Sequence, residues 1–350
     1  MRVLVVGPLP RLWAPNHLPW LRYTTSALRR LGHTVATAAY RESRAASPAL
    51  ASRLSGLPGT PGVLKKYVVA MSARRDRQAI AAARRFRPEL TIVLKGEVYP
   101  QEVWSEIKRH TAGPMVTWWV DDPFTYPNVV RQFTVFDRVF VFDRSYVSDL
   151  ASHGVSRTTF LPCACDETVY RPIALGAGER RRLASDVAFV ASFYPQRGTL
   201  VRTLAATMNV GLWGHGWDRP DARLELGGAV SVRGGVIGDA TAVKIYNAAT
   251  IGLNAHHPQT RLGGVNSRTF ELLASGTPPL VDRIAGIEEL LEPDREVACY
   301  GSIDEARDVA TRLAQDPAYR ADIVRRGRER TLREHTYIAR MRTLCQTAFQ

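Results

Sequence analysis

The sequence predicts an α/β protein built from two doubly wound domains of similar construction. Three observations predict it. Short apolar runs alternate with stretches of helical period, the pattern of parallel strands covered by helices on both faces. The alternation starts again near Asp186. Between the two series, residues 171–182 are polar and carry Pro172, Gly176 and Gly178, as a linker between domains does.

The elements follow in order. A first domain over residues 1–170 opens on the run Val3–Leu4–Val5–Val6, which is stopped by Pro8 and reads as a buried strand at 2–7. Further strands are expected at 34–39, 90–94, 115–120, 138–142 and 159–161, each a short apolar or β-branched run. Helices are expected between them at 18–31, 65–86, 100–110 and 145–152. In the longest, Val68, Val69, Met71, Ala79, Ile80 and Ala83 fall on one stripe. A second domain over 183–335 repeats the scheme, with strands at 187–191, 210–213, 230–232, 251–254, 279–281 and 297–300. Its helices are placed at 198–207, 239–247, 268–274, 303–315 and 317–335. A last helix over 336–350 follows a complete second series and is expected to pack back on the first domain.

Composition excludes several classes. Hydrophobic residues make up 45% and charged residues 23% of 350, so the chain is neither disordered nor fibrous. No apolar run approaches the ~20 residues of a spanning helix. The start MRVLVVGPLP lacks the long apolar region and cleavage site of a signal peptide, so a cytoplasmic protein is expected. Four cysteines without a CxxC pair, at 163, 165, 299 and 345, point to reduced thiols. The net charge is +14, and all but five of the 47 basic residues are arginine. Codon bias explains this, and so does an anionic partner. The basic segment 65–87 is a candidate for peripheral membrane contact or for an anionic acceptor.

The common signatures of nucleotide and metal chemistry are missing. There is no GxGxxG, no GxxxxGK[ST], no HExxH, no GxSxG and no DxD. The most informative stretch is IGLNAHHPQTRLGGVNSRTFELLASGTPPLVD, residues 251–282. It reads as strand, glycine-rich loop, helix, turn and strand. Gly263 and Gly264 let the backbone approach a ligand. Asn266 or Ser267 caps the helix, whose N-terminus offers free N–H groups to a phosphate. Arg268 adds a guanidinium fork, and Glu271 is placed to accept hydrogen bonds from a ribose diol. Asn254 and Asp282, at the ends of the flanking strands, complete the candidate donor set. In SFYPQR, Arg197 sits where a diphosphate at a strand's carboxyl end wants a cation. In LWGHGW, His215 and Trp217 are candidates to contact a base. In the first domain, Asp121 and Asp122 follow the strand of MVTWWVDDPF. Either serves as a general base or orients an acceptor hydroxyl, and an Asp before Pro equally makes a turn cap. His17, and Lys95 with Glu97 in LKGE, are further candidates.

These residues resemble a known group. The loop leading into NSRTFE and the closing GTPPLVD resemble the donor site of GT-B glycosyltransferases. WWVDDP, SFYPQR, GHGW, IGLNAH, GGVNSRTFE and REHTYIAR together resemble the CgeB-type spore-maturation glycosyltransferases, over almost the whole chain. The resemblance implies two Rossmann-like domains facing a cleft and a nucleotide-diphosphate-sugar donor held by the second. It implies a ribose contact for Glu271, a diphosphate contact for Arg197, and a phosphate and sugar loop at Gly264, Asn266 and Arg268. Many retaining relatives carry a glutamate eight residues before the ribose glutamate, where this chain has Gly263. The expected chemistry is metal-independent glycosyl transfer with no cofactor, to an unidentified glycan, lipid, protein or small-molecule acceptor. The alternatives are a nucleotide-sugar epimerase-type enzyme on the same fold, or a basic protein that binds nucleic acid or a membrane surface. No nucleic-acid module is recognisable.

Overall fold

The computed structural model describes residues 1–9, 19–41, 62–126, 128–227, 230, 232–257 and 263–350, with side chains from 69 in the helix that starts at 62. His17 lies outside the described residues, as do the side chains of the first part of the basic segment 65–87. The chain divides into two compact units. One comprises Met1–Pro162 with Ile338–Gln350, the other Cys163–Tyr337.

The first unit holds strands β1 (Arg2–Leu9), β2 (Thr34–Arg41), β3 (Leu90–Leu94), β4 (Met115–Trp119), β5 (Arg138–Val141) and β6 (Thr158–Phe160). All pair in parallel, in the order β2-β1-β3-β4-β5-β6. β3 and β4 are buried along their full length, as expected of strands covered by helices on both faces. The order reverses between β1 and β3. The second unit holds β7 (Ser185–Val190), β8 (Val210–Trp213), β9 (Val232–Gly234), β10 (Ala249–Asn254), β11 (Pro279–Asp282) and β12 (Ala298–Tyr300). Their order, β12-β11-β10-β7-β8-β9, is also all-parallel. It is the 3-2-1-4-5-6 order of a dinucleotide-type sheet, and it reverses between β7 and β10. Ligands of such sheets bind outside the carboxyl ends of the strands at that reversal.

Three expectations change. The supposed linker 171–182 contains most of a helix, Ala177–Leu183, in which Glu179 accepts from Lys244 Nζ at 2.7 Å on the helix Asp239–Ala248. Gly178 lies inside that helix, so the breakers misled. Residues 163–170, assigned by sequence to the first domain, cluster with the second unit. Cys165 N–H donates to His335 O and Cys165 O accepts from Tyr337 N–H, both at 3.0 Å, while Tyr170 Oη lies 3.3 Å from Asp239 Oδ1. The strand expected at 230–232 is β9, two residues later. The helices Pro220–Leu226 and Ala285–Leu290 were not anticipated, because two turns leave little periodic signal. The last helix, Tyr337–Ala348, begins beside the exit of the first unit, where Arg340 Nε donates to Pro162 O at 2.8 Å. All four cysteines are free thiols.

Candidate functional site

The candidate donor site forms at the β7/β10 reversal of the second unit. β7 ends at Val190, and a short loop leads into the helix Pro195–Ala205, which has proline in its first turn and no side-chain cap. Arg197 stands in that first turn. Its Nη1 donates to Ser192 O at 2.9 Å and its Nη2 to Ala255 O, just beyond β10. The guanidinium therefore ties the two loops that flank the reversal. Its ring neighbours are Tyr194 and Phe189, 4.9 and 5.8 Å away. Its Nε is buried and has no acceptor among the described residues. Burial, and then the nearby Arg268, pull its pKa down to about 10.

The second wall is the helix Ser267–Ala274 with the loop before it. Asn266 caps this helix, its Oδ1 accepting from Arg268 N–H at 3.1 Å. Asn254, at the end of β10, exchanges two amide hydrogen bonds with Asn266 at 2.9 and 3.2 Å and donates to Thr269 Oγ1 at 2.9 Å. The loop is pinned from the other side by His256. The His256 backbone N–H reaches the Asp282 carboxylate at 3.0 and 3.1 Å, and its Nδ1 lies 2.7 Å from Asp282 Oδ1. Its Nε2 accepts from Asn266 N–H at 3.2 Å. A ring nitrogen that accepts carries no proton, so the hydrogen belongs on Nδ1, which donates to Asp282.

Behind this frame lies a buried polar group. The Arg268 guanidinium and the Tyr246 hydroxyl are both buried and interact with each other, but neither Arg268 Nη1 nor Tyr246 Oη has a partner at full hydrogen-bond geometry among the described residues. Burial works against the Arg268 charge, but Tyr246 and Glu271 outweigh it and hold its pKa above the ordinary value. Burial raises the Glu271 carboxyl above its usual range, and Arg268 opposes this only in part. Burial also lifts Tyr246 to about 12. Native proteins leave few buried donors unpaired. Here two sit on neighbouring cations.

The glycine loop is held by backbone contact. Gly263 adopts φ +113°, in the left-handed region. A Cβ on Gly286, in the first turn of the helix Ala285–Leu290, would lie 2.0 Å from Gly263 O. Gly286→Ala is therefore expected to displace the loop, lower donor affinity at least tenfold and cost roughly 1–3 kcal/mol of stability, the usual cost of overpacking. Isothermal titration and chemical denaturation of the variant check this; unchanged values would show that the loop does not depend on that contact.

Beside the reversal, at the carboxyl ends of β8 and β9, is a cavity of about 670 Å³ lined by Gly214, His215, Arg233, Gly234 and Val236 among others. His215 is exposed at its rim. Trp217 does not reach a ligand. It is fully buried, donates from Nε1 to Ala191 O at 2.6 Å and packs edge-on against Phe193 at 5.2 Å.

In the first unit, the two aspartates separate clearly. Asp122 Oδ1 accepts from Phe124 N–H at 2.9 Å and caps the short helix Pro123–Thr125. Asp121 joins a half-closed cluster at the ends of β3 and β4. Its Oδ2 takes Lys95 Nζ at 2.8 Å and the Tyr126 hydroxyl at 3.2 Å. Lys95 Nζ also reaches Tyr126 Oη at 3.2 Å and Glu97 Oε1 at 3.8 Å. Lys95 sits at φ +65°, a conformation uncommon for residues other than glycine, which turns its side chain into the cluster. The Tyr40 hydroxyl braces that turn by donating to Leu94 O at 3.2 Å and accepting from Gly96 N–H at 3.0 Å. Burial lifts Tyr126 to about 12, so it stays a donor to Asp121. Asp121 Oδ1 has no protein partner in the described structure.

With this geometry in place, comparison with known proteins is decisive for the fold. Residues 197–346 match the family model described as glycosyl transferase-like. Curated proteins give no sequence match. Among solved structures, the chain is similar to sucrose-phosphate synthase from Thermosynechococcus elongatus, at 14% identity and TM-score 0.66, over 99% of this chain and 98% of that one. It is similar to HepE of Anabaena in complex with UDP-glucose, at 13% identity and TM-score 0.64, over 99% of both chains. It is also similar to an α,α-trehalose-phosphate synthase from Burkholderia xenovorans, at 13% identity and TM-score 0.65, over 99% of this chain and 100% of that one. The chain has the GT-B glycosyltransferase fold.

Within that GT-B fold the candidate residues sort by what they touch. Arg197, Gly263, Gly264, Asn266, Arg268 and Glu271 gather at one reversal of the second sheet. Asn254 and Asp282 are spent on Asn266 and His256, so they shape the loop instead of offering free groups to a ligand. Sequence reasoning missed His256, Tyr246 and Tyr126. His256 could have been found, because the sequence places it two residues past Asn254 at the strand end. Tyr246 and Tyr126 carry no local signal, since tertiary packing alone brings them to their partners. Among the described residues no group of three His, Cys, Asp or Glu side chains is placed to hold a metal ion.

Proposed function

We propose that the protein is a cytoplasmic glycosyltransferase of the CgeB type, moving a sugar from a nucleotide-diphosphate-sugar to a hydroxyl acceptor without a metal ion. One observation carries this reading. Two guanidinium groups, Arg197 and Arg268, lie close enough that one depresses the other, and each keeps a buried N–H without an acceptor at full hydrogen-bond geometry. Like charges held together at a sheet reversal call for an anion, and a diphosphate supplies several acceptor oxygens. The N-termini of the helices Pro195–Ala205 and Ser267–Ala274 add partial positive charge there.

In this reading the diphosphate lies on Arg197, Arg268 and the loop Gly263–Gly264–Asn266. The ribose hydroxyls donate to Glu271, and the base enters the cavity beside His215. Negative charge grows on the diphosphate as the sugar's anomeric C–O bond breaks. The same cations that bind it then stabilise the transition state. Asp121, in the first unit, takes the proton of the attacking acceptor hydroxyl on its open Oδ1, while Lys95 and Tyr126 fix its orientation.

A thermal-shift panel of nucleoside diphosphates and nucleotide-sugars tests the donor half, with UDP and UDP-glucose first because HepE is solved with UDP-glucose. One nucleotide family is expected to raise the melting temperature, with and without EDTA, as ligands of the native state do. No shift with any nucleotide would overturn the donor site. A shift abolished by EDTA would overturn its independence of metal.

A further inference from the structure

His256 has a geometry that packing alone does not require. It lies two residues past β10, and its side chain is 3% exposed. The ring stands between a carboxylate and a backbone amide. Nδ1–H donates to Asp282 Oδ1 at 2.7 Å, and Nε2 accepts at 3.2 Å from the N–H of Asn266, ten residues further along the chain. Asn266 is the cap of the helix Ser267–Ala274, and its side chain is locked to that of Asn254. Both clamps on Asn266 therefore come from the end of β10. Together they fix where the glycine loop meets the helix N-terminus, the two features that face the diphosphate.

The clamp from His256 depends on one lone pair. Asp282 can only accept, so it holds the proton on Nδ1 and leaves Nε2 free to accept in turn. A second proton makes Nε2 a donor that faces another donor, the Asn266 N–H. The hydrogen bond is then lost, and at 3% exposure water does not reach the ring to replace it. The charge gained is spent on Asp282 and brings the diphosphate no new contact. The other charged or titratable groups near the ring are Arg197, bonded to Ala255 O, Arg268 beyond Asn266, His257, and Tyr300 of β12 beside Asp282. Both arginines stay charged at any moderate pH, and burial keeps Tyr300 neutral. His257 turns to Tyr194, edge-on at 4.2 Å.

Given the donor site proposed above, we infer that His256 is a positioning residue that couples donor affinity to pH. With Nε2 unprotonated it holds Asn266 and the phosphate loop in place, and protonation releases them. The test is calorimetric titration of the full chain with UDP-glucose, or with whichever nucleotide-sugar of the panel binds, between about pH 8 and about pH 5, where histidine titrates. A nucleotide-sugar is the probe because its bridged diphosphate has no proton to lose there, whereas a terminal phosphate does. Wild-type affinity is expected to fall about tenfold on acidification, as one buried N–H loses its acceptor. His256→Gln places Oε1 where Nε2 stood, so it should restore most of the affinity and flatten the profile. His256→Asn keeps a donor to Asp282 but lacks the acceptor, so it should bind about tenfold more weakly already at the high end of the range. Glu271 is present in all three proteins, so the difference between their profiles belongs to His256. Circular dichroism confirms that each variant is folded. Equal profiles in wild type and His256→Gln overturn the inference. Affinity that rises on acidification overturns it too, and makes His256 a direct contact of the anion. Amide exchange without ligand gives an independent readout: protection of the Asn266 N–H should drop in His256→Asn and hold in His256→Gln. Unchanged protection in His256→Asn overturns the clamp whatever the nucleotide does. A wild-type chain that binds no nucleotide-sugar at any pH overturns the donor site, and the coupling with it.

Discussion

Asp121→Asn is expected to lower nucleotide release from the donor by about 10²–10⁴-fold, the range for loss of a general base. Donor affinity should stay within error, because the candidate donor residues belong to the other unit. The neighbouring Asp122→Asn should be almost silent. Asp122 caps a short helix through Phe124 N–H, and asparagine caps as well as aspartate. The pair is a strong test because adjacent residues of identical chemistry receive opposite expectations. The fold should survive in both. Lys95 keeps Glu97 at 3.8 Å when Asp121 loses its charge, so no buried cation is left without a carboxylate. Activity is read as nucleotide released from whichever nucleotide-sugar shifts the melting temperature. A dead Asp122→Asn beside an active Asp121→Asn would reverse the assignment.

Glu271→Gln is expected to separate binding from stability. Loss of the charged acceptor should weaken the nucleotide about 10–100-fold, as loss of hydrogen bonds to a charged group does. Stability should move the other way. Burial raises the folded-state pKa of Glu271 above its unfolded value. The folded state then holds the proton more tightly, so this carboxyl favours folding at low pH and opposes it once pH rises through the folded value. Glutamine removes that cost. The variant should melt higher than wild type at pH 7.5 and equally near pH 4, in scans without ligand. A functional residue that destabilises its own fold is a common compromise, with typical gains of roughly 0.5–2 kcal/mol on its removal. Wild-type nucleotide affinity in the variant would remove Glu271 from the site, whatever the melting curves show.

The two aspartates also show how far the sequence reaches. MVTWWVDDPF places both carboxylates just past a buried strand. It leaves open which one caps a turn and which one is available. Lys95 and Tyr126 decide that from 26 and 5 residues away, through a left-handed turn at Lys95 and a hydroxyl contact. Local pattern carries no trace of either.

The fold itself was legible because it rests on short-range physics. Parallel strands buried on both faces need unbroken apolar runs, and the helices between them need a 3.6-residue stripe. Both are written into consecutive residues, from Val3–Val6 to the run before Asn254. The glycine loop and its helix were legible for the same reason. Asn266 capping Arg268 N–H is a contact over two residues. What tertiary structure alone decided is of longer range. His256 meets Asp282 across 26 residues, and Gly286 passes against Gly263 with no room for a methyl group. The second half of the breaker-rich stretch 171–182 is helical, with Lys244 bonded to Glu179 and Leu183 buried at the helix's end. Hydrogen bonds and close packing between distant segments depend on where the chain returns, and a sequence read in windows does not record its own returns.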